Sequence, residues 1–262
     1  MKALEGQVAI VTGGGTGIGR VTATMLAAEG AQVVIAGRRK PPLDEVVADI
    51  ERAGGACAAR QADLGKVSDA VLLARWTVER FGRVDVLVNN AGHSSKARNV
   101  RYVTPDEWEQ VVAVNLTGVY ALTQAVLPGM VERGAGTIIT VSSMAALKPG
   151  LIGGAPYGAA KAAARNLMGH VHTVLRNQGI RATTIMPAEV DTPILDNRPH
   201  VPDATARATM MMPEDVARAV LLCATLPART VIEEIVMSPT IQRDNSADIK
   251  TARDAGAPSS AR

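Results

Sequence analysis

Short apolar runs alternate along the chain with longer stretches of helical periodicity. The runs fall at 7–11 (QVAIV), 32–36 (QVVIA), 56–60 (ACAAR), 84–88 (VDVLV), 137–141 (TIITV), 180–186 (IRATTIM) and 231–237 (VIEEIVM). Most are apolar throughout rather than alternating, the mark of strands covered on both faces. Between them, 17–29, 43–52, 67–80, 105–131, 155–178 and 213–226 carry helical patterns, the first two closed by Gly30 and by Gly54-Gly55. This alternation predicts an α/β Rossmann-type fold: one doubly wound, seven-stranded parallel sheet with helices on both faces. No Pro/Gly/Ser linker divides the chain and no repeat of solenoid length occurs. A single domain is therefore expected over 1–243, with a short lid at 190–212. Past Gln242 the pattern fails, and 244–262 is expected to be a polar, mobile tail.

Composition narrows the class. A chain of 262 residues with 47% hydrophobic and 20% charged residues is an ordinary globular protein, which excludes disorder across its length. Aromatics are only 2%, so the core must be built from Ala, Val, Ile, Leu and Met. The net charge of +3 comes without a basic stripe interleaved with aromatics, so no nucleic-acid partner is expected. No apolar run approaches the roughly 20 residues of a membrane span, and the glycine-broken N-terminus does not read as a signal peptide. No membrane partner and a cytoplasmic location are the expectations. Cys57 and Cys223 define neither a disulfide framework nor a metal-ligand spacing, and His170 and His172 do not share a helix face. No metal site is expected.

Thr12-Gly13-Gly14-Gly15-Thr16-Gly17-Ile18-Gly19 follows the first strand and opens the first helix, the context a dinucleotide site requires. Glycines let backbone N–H groups approach a pyrophosphate, and the helix N-terminus favours its charge. At the end of the second strand a NAD site usually carries an acid for the ribose hydroxyls. Here Gly37 stands in that place, followed by Arg38 and Arg39, whose guanidinium groups suit a 2′-phosphate. NADP is therefore expected as the preferred cofactor, with NAD possible.

Tyr157 and Lys161 stand at i and i+4 on one helix face. A phenol is a poor base at neutral pH, and a neighbouring ammonium lowers its pKa, which suits proton transfer at an alcohol or carbonyl oxygen. Ser143, fourteen residues ahead of Tyr157, closes the preceding strand and can hold that oxygen; Ser142 is the weaker candidate. Asn115 sits inside an otherwise apolar helix and needs a partner, such as a water relaying protons from Lys161.

With these pieces in order from about residue 5 to residue 240, the chain resembles the classical short-chain dehydrogenase/reductases. The matching pieces are the glycine turn at 12–19, Ala62-Asp63-Leu64, Asn89-Asn90-Ala91-Gly92, Asn115, Ser143, Tyr157 and Lys161. The resemblance implies that Tyr157 is the acid/base, that Lys161 lowers its pKa and binds the ribose, that Ser143 orients the substrate and that Asn115 completes a proton relay. It also implies that Asp63, with Leu64 beside it, faces the adenine and that Asn90, Ala91 and Gly92 line the cofactor cleft. The family's nicotinamide-wrapping stretch is matched by Pro187-Ala188-Glu189-Val190-Asp191-Thr192, which makes Pro187, Val190 and Thr192 cofactor contacts. The activity implied is hydride transfer between the nicotinamide and a small carbonyl/alcohol substrate. A homodimer or homotetramer is implied, with the 105–131 and 155–178 helices at the interface. A dinucleotide-binding sensor or interaction protein with little turnover is the alternative.

Three departures stand out. Ala188 replaces the usual Gly and would be strained at a positive φ. The serine-to-tyrosine spacing is one residue longer than usual. The Asp-Gly-Gly ending is missing, as in a branch of uncharacterised members. Substrate choice is expected in the loops 93–104, 144–156 and 190–212. His93, Lys96, Arg98 and Arg101 are candidates to attract an anion, and Met210-Met211-Met212 are candidates for pocket lining or plain core.

Overall fold

A computed structural model describes residues 2–258. Seven parallel strands form one sheet in the order β3-β2-β1-β4-β5-β6-β7. The strands are β1 (Val8–Thr12), β2 (Gln32–Gly37), β3 (Ala56–Gln61), β4 (Val86–Asn89), β5 (Gly136–Val141), β6 (Ile180–Pro187) and β7 (Glu234–Met237). The apolar runs are unbroken because both faces are covered. Ala9, Val11, Val33, Ile35, Val88 and Ile139 face one core with α1 (Gly17–Ala28), α2 (Lys40–Arg52) and, further along the chain, the helix Pro213–Thr225. Ile10, Val34, Leu87 and Ile138 face the other. There α3 (Val67–Phe81), α4 (Pro105–Val112), a π-turn (Ala113–Thr117), α5 (Gly118–Glu132) and α6 (Ala155–Leu175) form the second layer.

The 105–131 helix pattern is realised as one continuous rod, Pro105–Glu132. Thr104 and Glu107 form a reciprocal capping box at its start, with Pro105 in the first turn. Its length and apolarity are enough to cross a membrane, more than the sequence pattern implied. Val111, Val119, Leu122, Val126 and Met130 are buried, and four of the five join the core under the sheet.

The last strand is shorter than expected. Only Glu234–Met237 pairs with β6, and residues 231–233 instead lead in as a loop tied down by side chains. The Thr183 hydroxyl donates to the Ile232 carbonyl, and Arg181 donates to those of Leu226 and Thr230. Beyond β6 the lid holds a 3-10 turn (Pro193–Asn197), a one-turn helix α7 (Ala204–Arg207) and a parallel bridge between Val190 and Met211, before α8 (Pro213–Thr225).

The tail expected at 244–262 is corrected over its described part: Ser246–Asp254 forms a helix, α9, whose Asp248 and Ala252 are buried. Residues 259–262 lie outside the described residues. Hydropathy missed α9 because it docks by charge. Arg243 donates to both Glu189 oxygens at 2.8 and 2.9 Å and to both Asp248 oxygens at 2.8 and 3.0 Å. The Arg253 carbonyl accepts from Asn99, so the segment also rests on the loop after β4.

Candidate active site

The crossovers from β1 and β4 leave in opposite directions, and a cleft of about 720 Å³ opens at the C-terminal ends of these strands. Thr12 ties the two turns together there. Its hydroxyl accepts from the backbone N–H groups of Asn90 and Ala91 at 2.9 and 3.0 Å, and Asn90 Nδ2 returns a bond to the Thr12 carbonyl at 2.9 Å. Gly13 has φ +66°, and a Cβ on it would lie 2.9 Å from Asn90 Nδ2. A Cβ on Gly19 would lie 2.3 Å from the Gly13 carbonyl oxygen. Side chains at these two positions would force the turn off the helix end. The backbone thus presents a tight cradle beside the N-terminus of α1, and Thr16, Gly17 and Ile18 line it. Thr16 caps α1 without a side-chain bond to it. This donor set fits a pyrophosphate. Gly15 and Gly19 stand behind the wall, Gly15 against Pro42.

Arg38 and Arg39 are exposed on the cleft wall, at the end of β2. Among the described residues neither forms an ion pair. Gln61 holds the Arg38 carbonyl at 2.7 Å and fixes the loop. Asn90, Ala91, Gly92, Pro187, Val190 and Thr192 also line the cleft. Asp63 and Leu64 do not: Leu64 is buried in the core, and Asp63 Oδ1 accepts from the Gly65 N–H at 3.0 Å, shaping the turn into α3. Ala188 carries no strain, since no residue other than glycine has a positive φ among the described residues. Its N–H donates to the Met237 carbonyl at 2.8 Å, as an extended strand end does.

Ser143, Tyr157 and Lys161 converge on the cleft. Ser142 also lines the cleft, but its hydroxyl is committed to the Lys161 carbonyl at 3.0 Å, where it joins strand to helix. Lys161 is buried, and Nζ donates to the Val141 carbonyl at 2.8 Å and lies 5.6 Å from the Tyr157 ring centroid. Burial pushes its ammonium down to about 8. Burial likewise pushes the Tyr157 phenol above its ordinary value, opposed by a hydrogen bond with Ser143 and by the Arg98 and Arg198 guanidinium groups. Those two arginines are cations that the Tyr–Lys reading did not include.

Asn115 sits in the π-turn of the long rod and is fully buried. Its Nδ2 donates to the carbonyls of His93 at 2.7 Å and Val111 at 2.8 Å. A Cβ on Gly92 would lie 3.3 Å from Asn115 Oδ1 and 3.9 Å from Lys161 Nζ, so both abut that glycine. Asn115 lies behind the cleft wall rather than on it. The π-turn is what lets a rod of otherwise apolar character turn this amide toward the loop.

The lid and α9 close the far end of the cleft. Met210 lines the cleft, Met211 belongs to the core and Met212 is exposed, so the methionine run divides among three environments. Of the four basic candidates after β4, His93 and Arg98 reach the cleft, whereas Lys96 and Arg101 are exposed outside it. Burial and then Arg38 push His93 below its ordinary pKa. Glu189, Arg198, Arg243 and Asp248 form a half-buried ionic corner beside them, with Arg198 2.6 Å from Glu189. No local pattern announces this corner, since its members are scattered over 60 positions of sequence. Thr12 could have been found, because it heads the glycine turn. Cys57, pushed up to about 12 by burial, and Cys223, also raised, are inert thiols.

Comparison with known proteins agrees with this geometry. The profile of the short chain dehydrogenase family matches residues 7–202. An uncharacterised oxidoreductase of Listeria innocua is 33% identical, covering 91% of this chain and 98% of its own. A 3-oxoacyl-[acyl-carrier-protein] reductase of Synechocystis is 36% identical over 88% of this chain and 94% of its own. The crystal structure of a metagenomic short-chain oxidoreductase in complex with NADP superimposes with a TM-score of 0.80 at 32% identity, covering 92% of this chain and 100% of that one. The chain belongs to the short-chain dehydrogenase/reductase family of oxidoreductases.

Proposed function

We propose that the protein is an NADP(H)-preferring oxidoreductase that interconverts a small carbonyl compound and its secondary alcohol, with Tyr157 as acid/base. The observation that carries this reading is the Ser143–Tyr157–Lys161 convergence in the same cleft as the glycine cradle. Bound along that cleft, a nicotinamide dinucleotide supplies or accepts the hydride. The rest falls to the chain. The Ser143 hydroxyl holds the reacting oxygen, and Tyr157 gives it a proton in reduction or takes one in oxidation. Lys161 places an ammonium beside the phenol. Asn115 acts as a positioning residue, holding the 92–93 turn against Lys161. Arg38 and Arg39, without acidic partners among the described residues, favour the 2′-phosphate, with Gly37 where an acid would select NAD. The NADP found in the metagenomic relative supports the same preference.

A homodimer or homotetramer fits the exposed Trp108, Tyr120 and Val174 on the rod and on α6, and light scattering of the purified protein would report it. The function is tested by following NADPH and NADH consumption over a panel of aldehydes, ketones and oxo acids. Turnover with NADPH ahead of NADH is expected. Tight NADPH binding without turnover on any carbonyl would replace the reading with a dinucleotide-binding sensor.

A further inference from the structure

Arg98 is 4% exposed and lines the cleft with Tyr157. Its position is built rather than incidental. Gly154 caps the start of α6 with φ +83°, and a Cβ there would lie 2.7 Å from Arg98 Cδ, so only glycine lets the arginine stem cross the helix end. The Arg98 carbonyl accepts from the Ala155 N–H at 2.9 Å, fastening the loop to the helix that carries Tyr157. Nη1 donates to the carbonyls of Gly153 at 2.7 Å and Ile152 at 3.3 Å. Those bonds orient the guanidinium plane and leave one edge over. Nε is buried without an acceptor, and Nη2 makes no hydrogen bond among the described residues. That edge is the side-on fork with which arginine grips a carboxylate.

The surrounding acids are turned away from it. Glu107 spends its oxygens on the backbone N–H groups of Lys96, Ala97 and Thr104. Glu189 is held by Arg198 and Arg243, and Asp248 by Arg243. Arg198, the neighbouring cation, is therefore matched, whereas Arg98 is a buried charge with no carboxylate within ion-pair distance among the described residues. A buried, unmatched guanidinium is costly unless a ligand completes it. Burial and Arg198 push Arg98 down to about 10, so it still carries its charge at neutral pH. The same cleft also carries the apolar side chains of Met144, Leu151, Ile152, Ile194 and Met210.

We propose that the Nε/Nη2 edge of Arg98 anchors a carboxylate on the substrate, which makes the substrates short aliphatic oxo acids and the matching hydroxy acids. This rests on the oxidoreductase reading above and adds no chemical step to it: the carboxylate is bound, and the reaction remains at the carbonyl. A carboxylate fits better than a bulkier anion because a single planar fork meets it.

The test uses the full chain with NADPH and matched substrates: short oxo acids, their methyl esters and simple ketones of the same skeleton. In the wild type, kcat/KM for the acid is expected to exceed that for its ester by about 100-fold, the scale of a charge-assisted bidentate pair. In Arg98→Gln that ratio should collapse toward one, with the loss in KM rather than kcat, and Arg98→Lys should keep part of it. Circular dichroism melting of both variants checks that they fold. Calorimetric binding of a short hydroxy acid to the Tyr157→Phe protein with NADP+ reads the anchor without turnover. An acid-to-ester ratio near one in the wild type, or equal losses for acid and ester in Arg98→Gln and Arg98→Lys alike, would overturn the anchor. Turnover of ketones and esters but not acids would overturn it too while leaving the oxidoreductase reading intact. NADPH binding with no turnover of any class, and no binding of the hydroxy acid, would remove both.

Discussion

At one end of the cleft the chain turns on a run of glycines; at the other, Glu189, Arg198, Arg243 and Asp248 meet in an ionic corner. The glycine end is made mainly by backbone. Gly13 and Gly19 approach so closely that no side chain fits between them, and Thr12 locks the turn to β4 with neutral hydrogen bonds. The corner is made by side chains from the end of β6, the lid, the segment after β7 and α9. The first arrangement is rigid because it is overdetermined locally, and it sits between buried strands. The second holds the substrate end with charges that can be titrated or replaced one at a time. Recognition of a cofactor shared across a family needs the first kind of structure, whereas a lid that admits different substrates can use the second.

Substitutions at the two ends should separate these roles. Gly19→Ala has the broadest expected effect of these. It should cost about 1–3 kcal/mol by overpacking and weaken both NADPH and NADH, as urea melts and cofactor titrations would show. Arg38→Asp should leave stability near wild type and weaken NADPH by roughly 10–100-fold more than NADH. Equal losses of the two cofactors would sink the 2′-phosphate assignment.

The corner should yield locally. Arg243→Met leaves Glu189 and Asp248 short of a partner and should cost about 1–3 kcal/mol in the docking of α9. Proteolysis or hydrogen exchange would then show 243–258 opening ahead of the sheet. Acid should do the same more gently. Burial works against the ionised carboxyls of Glu189 and Asp248, but the hydrogen bonds and charge of Arg243, together with the Arg198 guanidinium, outweigh it and hold both below the usual range. Their stabilisation is complete above the ordinary carboxylate pKa and is lost as pH falls through the depressed values. Hydrogen exchange at descending pH should therefore find α9 losing protection before β1 or β4. Simultaneous loss would mean that the corner is not a separate unit.

Legibility in the sequence follows the same division. The strands are readable because double-sided burial leaves runs such as QVAIV and QVVIA with no polar residue inside them. The Ser143, Tyr157 and Lys161 set was readable because one strand end and one helix face carry it. The helix at Ser246–Asp254 was not, since its docking residues are an aspartate and an alanine and its partner is a remote arginine. β7 is shorter than its apolar run because the Ile232 carbonyl is claimed by the Thr183 hydroxyl and that of Thr230, just before the run, by Arg181. Arg98 was one of four similar basic residues in sequence, and only the positive φ of Gly154 and the two carbonyls ahead of it single it out. Of the pair carried over by resemblance, Asp63 shapes the β3–α3 turn through its bond from the Gly65 N–H, and Leu64 is buried in the core.

The most direct test of the central claim is NADPH-linked reduction by wild type and Tyr157→Phe side by side, with cofactor binding measured on both. A drop in kcat of about 100–10,000-fold with unchanged NADPH affinity is the predicted result, the scale of a lost general acid. Retention of most of the wild-type rate by Tyr157→Phe would contradict it and move the proton transfer to another group.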